Sequence, residues 1–415
     1  MTRFAHLIRA LSWALALCAA CTAHAADSIK IGFSTALTGG SAAFGRIDLV
    51  TREIWAETVN AKGGLLGRPV QLVHYDDQGT PANAPAIYTK LIDVDKVDLI
   101  TSTGTNVTAA AMPVIMQRNR LVMSLFSLAV NDNFKYPRYF QITPYGPNGT
   151  EEISRGFFEA AMTITPKPQT IALGGADAEF ALKALGGARA QAQQLGLKIV
   201  YDRTYPPSTM EFSSIIRAIA ATHPDMVFIG SYPADTSGLL HAALEGQLET
   251  KVFGGAMVGP QLASMKAEFG DKLNGLVAYE LYVPGPTMSF PGIDEFIARY
   301  RKRAAAEKID LLGDYMPPFV YAAMQVLEQA VNAVGSLDEA KLSDHLHRTK
   351  FSTIVGDVQF GADGEWAQGR ILTTQFQNVK GNGLAQFDQL GTQVVLYPKQ
   401  FKTGELQPGF PRPAR

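Results

Sequence analysis

The sequence predicts an α/β protein built as two doubly wound lobes. Short apolar strands alternate with amphipathic helices in two successive series, separated by a break at Pro144-Tyr145-Gly146-Pro147. The 415 residues are too many for one ordinary core. A second break, at Val283-Pro284-Gly285-Pro286, is followed by strong helices, so the chain is expected to return to its first lobe.

The elements follow in order. Residues 28–35 (SIKIGFST) alternate as a buried strand, and a helix then sets Ile47, Val50, Ile54 and Val59 at helical spacing. Asn60-Ala61-Lys62-Gly63-Gly64 ends that helix with glycine. A strand over 69–75 stops at Asp76-Asp77, which are expected to hydrogen-bond their own loop backbone, and a helix covers 81–92. The short strand at 97–100 runs into Thr101-Ser102-Thr103-Gly104-Thr105, where a helix begins. Ser102, Thr103, Thr105 and Thr108 crowd that corner, where free backbone N–H groups and the positive helix end converge. Thr105 or Thr108 could simply cap the helix, but one cap needs one hydroxyl, and the excess points to a small-anion or carboxylate site. Pro113 comes too late in the helix to be free of cost.

A strand at 139–143 leads to the second series. Its strands are expected at 169–173, 198–203, 225–230, 251–253 and 275–282, with helices at 148–165, 179–195, 211–221, 234–245 and 261–269. Helices at 290–308, 316–334 and 338–347 follow. Residues 355–360 and 370–377 read as antiparallel strands around Gly361-Ala362-Asp363-Gly364, and from Lys399 the Pro- and Gly-rich chain reads as a loose tail.

Composition excludes several functions. Apolar residues make up 47% and charged residues 18%, with a net charge of −1, which gives no case for nucleic acid. Arg3 and Arg9, the apolar run from Ala10 to Ala20, and Ala23-His24-Ala25 read as a cleaved export signal over 1–25. Cys18 and Cys21 both fall inside it, so the exported chain has no disulfide; lipid attachment at Cys21 is the lesser alternative. His345 and His347 are two apart on a helix and do not share a metal easily. Neither a G-x-S-x-G elbow nor a remaining thiol offers a nucleophile. Gly40-Ser41-Ala42-Ala43-Phe44-Gly45-Arg46 copies the spacing of a phosphate loop but lacks its lysine and the following hydroxyl. No catalytic residue, metal ligand or cofactor is assigned.

Several stretches together resemble the type I periplasmic binding proteins, specifically the branched-chain amino acid (Leu/Ile/Val) binding family of ABC importers. They are Ile29-Lys30-Ile31-Gly32, Leu37-Thr38-Gly39, the run from Asn60 through Gly64 to Val70, Asp76-Asp77, Thr108 to Val114, and Val355 to Phe360 with Asp363-Gly364. The resemblance implies two lobes joined by three crossing segments, with a ligand cleft between them that closes by hinge motion. It divides the chain into lobe 1 at 26–143 and 284–350, lobe 2 at 144–283 and 351–398, and a tail at 399–415. It further implies a periplasmic, monomeric carrier of a small carboxylate-bearing ligand that docks on a membrane permease. A sensor of the same fold, presenting ligand to a membrane signalling protein, is the alternative. Carried over residue by residue, the ligand contacts fall at Thr103, Thr105, Phe44, Phe126, Ser127, Leu128, Phe180, Tyr232 and Met257. The family's acid for a ligand ammonium falls in Ala256-Met257-Val258-Gly259, where this chain has none. Asp235, Asp177 and Glu179 are the substitutes the sequence offers; otherwise the ligand has no ammonium.

Overall fold

The computed structural model describes residues 27–412. The expected export signal and Cys18 and Cys21 lie outside them. Two open sheets organise the chain. The first is wholly parallel, with order β2-β1-β3-β4-β5, from β1 (Ile29–Thr35), β2 (Val70–Asp76), β3 (Leu99–Thr103), β4 (Val122–Leu125) and β5 (Tyr139–Gln141). Helices α1 (Ala42–Ala61), α2 (Ala84–Asp93) and α3 (Thr105–Gln117) connect its first strands, and a single turn, α4 (Asn131–Phe134), lies between β4 and β5. The reversal of strand order between β1 and β3 places a crevice at the carboxyl ends of these strands, where a doubly wound sheet binds its ligand.

The second sheet has order β14-β13-β10-β9-β8-β6-β7. Five parallel strands, β6 (Thr170–Ala176), β7 (Lys198–Tyr205), β8 (Met226–Ser231), β9 (Val252–Met257) and β10 (Leu276–Glu280), alternate with helices. These helices are α5 (Gly149–Ala161) before β6, then α6 (Glu179–Gln194), α7 (Ser213–Ala220), α8 (Pro233–Glu245) and α9 (Ala263–Phe269). The late helices α10 (Ile293–Glu307), α11 (Met316–Val334) and α12 (Glu339–Arg348) return to the first sheet, where α10 and α11 pack on α1. The chain then re-enters the second sheet as β13 (Leu372–Phe376) and β14 (Gln393–Tyr397), both antiparallel.

Two regions depart from the sequence expectation, the segment over 350–377 and the C-terminal stretch. The strand over 355–360 does not pair with 370–377. It is β12 (Gly356–Gln359), paired with β11 (Lys350–Thr353), a strand the sequence pattern did not mark. That hairpin packs on α11 and α12, and Phe360 meets Phe140 at a centroid distance of 5.3 Å, beside the first sheet. β13 instead sits between β10 and β14, all five of its residues buried.

The C-terminal stretch is not loose. Phe410 exchanges backbone hydrogen bonds with Thr250 and stacks on Phe253 at 4.6 Å, while Gln375 bonds both the amide and the carbonyl of Gln407. Proline and glycine there limit regular structure to one 3-10 turn, Lys399–Phe401, without excluding order. Finally, α3 begins at Thr105, with Gly104 before it at φ +85°, and runs through Pro113 to Gln117.

Candidate functional site

The site begins with what holds the β1–α1 loop. Asp76 accepts the Leu37 N–H at 2.9 Å, the Gln78 N–H at 2.8 Å and the Thr38 hydroxyl at 2.6 Å. Burial works to raise its pKa, but the Thr38 hydroxyl and the backbone N–H groups outweigh it and hold the carboxyl below its usual value. The loop so pinned leads into α1, which carries Phe44, half-buried, and Arg52, fully buried. Arg52 pairs with Asp48 at 2.9 Å, stacks its guanidinium over Phe33, and donates to Thr101 at 2.6 Å and Thr103 at 3.2 Å. Thr103, at the carboxyl end of β3, is thus oriented from beneath by a charge that is already neutralised.

The crowded hydroxyls behave differently from expectation. Ser102 donates to Ser124, Ser124 to Ser127, Ser127 to Thr108, and Thr108 back to Ser102, at 3.3, 2.6, 2.8 and 3.1 Å. All four residues are shut off from water. This closed ring ties β3, β4 and α3 together, and neither Thr105 nor Thr108 caps the helix. Ser102, Thr108 and the Ser127 hydroxyl are therefore structural. Thr105 is also engaged: it donates to the Phe126 carbonyl at 3.3 Å and accepts the Leu128 N–H at 3.0 Å, fixing the 126–128 loop against α3. Leu128 is buried, and Phe126 sits at φ +52° with its N–H on Thr143.

The second sheet brings Phe180, Tyr232 and Met257 to the carboxyl ends of β6, β8 and β9, with Met257 wholly buried. A residue the sequence reading missed joins the two halves. Asn106, the second residue of α3, accepts the Phe180 N–H at 3.1 Å and meets the Tyr232 hydroxyl through its amide nitrogen at 2.9 Å and its oxygen at 3.1 Å. Phe180 is the second residue of α6, and Tyr232 immediately precedes α8. One side chain therefore touches the starts of three helices, whose positive dipole ends favour a negative ligand group.

Aromatic rings run across the same junction between the two halves. Phe126 lies 5.4 Å from Tyr315, Tyr315 6.0 Å from Tyr279, Tyr279 6.3 Å from Phe180, and Phe180 6.0 Å from Tyr232. Phe126 and Tyr315 come from the first-sheet side; the other three come from the second. Burial pushes the Tyr232 phenol up to about 12, so it remains a neutral donor and acceptor.

The substitute acids are committed elsewhere or lie in water. Asp235 takes the Tyr205 hydroxyl at 2.6 Å and the Tyr232 N–H at 2.7 Å, Glu179 faces Lys183 at 3.5 Å, and Asp177 is exposed. The bend after β9 has Val258, its N–H on the Ser231 carbonyl. Among the described residues, no three metal-ligating side chains gather, and no helix is long and apolar enough to cross a membrane.

The sequence profile of the periplasmic binding protein family matches residues 28–381. This chain belongs to that family. Its members carry ligands rather than transform them. Leu/Ile/Val-binding protein homolog 7 of Brucella melitensis is 25% identical over 413 residues, covering 97% of this chain and 98% of its own. Among solved structures, a leucine binding protein from Thermotoga maritima superposes with a TM-score of 0.71 at 18% identity, covering 84% of this chain and 96% of its own. A solute binding protein from R. palustris, solved with benzoate, gives a TM-score of 0.71 at 19% identity, covering 93% and 98%. These likenesses agree with a two-lobed periplasmic binding protein fold.

Proposed function

We propose that this periplasmic binding protein is the solute receptor of an ABC importer. It captures a small carboxylate-bearing molecule between its lobes and delivers it to a membrane permease. The observation that carries this reading is the meeting of three helix starts at Asn106, walled by the aromatic run from Phe126 to Tyr232. An acid group gains from the helix ends, and an apolar body gains from the rings. Thr103, Thr105, Phe44, Phe126, Leu128, Phe180, Tyr232 and Met257 are the proposed surroundings, with Ser127 holding the loop from behind.

The ligand is an aromatic or aliphatic acid without an ammonium group. The bend that would supply a counter-charge has Val258, and Asp235 is already bonded twice. Leaving a buried ammonium unpaired costs about 3–5 kcal/mol, which is roughly a hundredfold or more in affinity. The benzoate bound by the R. palustris protein is a ligand of this class. Calorimetric titration with benzoate, aliphatic acids and leucine tests the reading. Tight binding of leucine, with no response to acids lacking nitrogen, would overturn it.

A further inference from the structure

We infer that Asn106 is a positioning residue that latches the two lobes in the closed arrangement and so sets how firmly the cleft retains its ligand. The inference deepens the receptor reading above, but it stands on contacts within the chain. The Phe180 N–H lies in the first turn of α6 and has no partner within its own helix. Its acceptor comes from the other lobe, the Asn106 amide oxygen at 3.1 Å. The same amide meets the Tyr232 hydroxyl at 2.9 and 3.1 Å. A single planar group therefore caps one helix and clamps the residue before another, and both of those residues are among the proposed surroundings of the ligand. The flanking bond from Lys183 to the Ala129 carbonyl, 3.2 Å, closes the same edge.

The consequence is a shift in population. In the open form these groups bond water instead, so the latch contributes only the net difference. Two such contacts favour closure by roughly tenfold. Because observed affinity scales with the fraction of competent molecules, Asn106 tunes retention without choosing the ligand's chemistry. Asn106→Asp retains an acceptor for Phe180 beside a positive helix end, whereas Asn106→Ala retains nothing.

The chain's only cysteines are Cys18 and Cys21. With both replaced by serine, nitroxide labels at Val94→Cys and Met210→Cys, two exposed sites on opposite lobes, report lobe separation in ligand-free protein by pulsed electron resonance. Asn106→Ala is expected to move the open-to-closed ratio roughly tenfold toward open, and Asn106→Asp to restore most of the closed fraction. Tyr232→Phe, which removes only the phenol contact, is expected to fall between wild type and Asn106→Ala and serves if the alanine variant does not fold. A distance distribution unchanged by Asn106→Ala, or by Tyr232→Phe where alanine fails, overturns the inference. No ligand enters this measurement, so a failed ligand screen leaves its result intact.

Discussion

Lys266 and Asp314 form an ion pair of 2.6 Å between the two lobes, with the lysine fully shut off from water and the aspartate nearly so. Lys266 belongs to α9 beside the second sheet, and Asp314 precedes α11, which packs on α1. Lys266 also lies over the Phe387 ring and reaches Gln393 at 3.3 Å. Next to it, Asp310 accepts the Ala263 N–H at the start of α9, and Tyr279 meets Tyr315 at 3.0 Å. The two halves are thus bridged by polar contacts here, as they are at Asn106.

Breaking this pair on one side strands the other charge. Lys266→Met leaves Asp314 buried without its cation, and destabilisation of about 3–5 kcal/mol is expected. Urea unfolding monitored by fluorescence measures it. Adding Asp314→Asn to Lys266→Met should recover a substantial part of the loss, because the stranded charge is then gone. A double variant as unstable as the single one would show that packing, not charge, governs the position.

Two adjacent glycines in α6 are expected to answer mutation with opposite signs. A Cβ at Gly187 would overlap the Thr150 carbonyl oxygen of α5, whereas one at Gly186 meets nothing within 4 Å among the described residues. Gly187→Ala forces two helices apart and should cost about 1–3 kcal/mol. Gly186→Ala removes backbone freedom from the unfolded chain and should gain roughly 0.5–1 kcal/mol. Thermal melts of the two variants decide this, and equal shifts would count against the close α5–α6 contact.

The hydroxyl ring makes a third case. Ser124→Ala opens the circle, leaving Ser102 without its acceptor and Ser127 without its donor, both in a dry interior. The expected cost is about 1–3 kcal/mol in urea unfolding. A loss under a few tenths of a kcal/mol would mean that the remaining hydroxyls re-pair freely.

Much of this architecture was legible because its cause is local. The helical spacing of Ile47, Val50, Ile54 and Val59 places them in the core, and Asp76 bonds its own loop as its position at a strand end predicts. The density of hydroxyls after β3 was equally visible, but its use was not. Ser124 lies on the neighbouring strand, and only the tertiary fold brings Ser102 to it and Thr108 to Ser127. Asn106 has no local mark at all, since its partners lie 74 and 126 residues away. β11 and β14 escaped for a similar reason. Lys350-Phe351-Ser352-Thr353 is a strand because β12 folds back on it, and Gln393 to Tyr397 because β13 offers a free edge. The bend from Ala256 to Gly259 carries no acid in the sequence, and the fold adds that Asp235 is engaged by Tyr205 and the Tyr232 N–H.

Glu365 gives the prediction with a definite pH sign. It lies between β12 and β13, 4% exposed, and neither carboxyl oxygen has a hydrogen-bond partner among the described residues. Burial pushes its pKa well above the ordinary 4.5, and the charges of Asp363 and Asp132 push in the same direction. The folded protein therefore holds this proton to higher pH than the unfolded chain does. The stability it contributes is fully present below the ordinary carboxylate value and is lost as pH rises through the raised folded value. Glu365→Gln keeps the shape and cannot ionise, so its stability does not fall over that window. Calorimetric melts from pH 4 to pH 8 should show wild type and variant close together at the acid end. At the alkaline end the variant should melt higher by roughly 1–2 °C for each kcal/mol retained. A gap that stays constant across that range would mean that Glu365 binds its proton equally well in the folded and unfolded protein, so that burial does not raise its pKa.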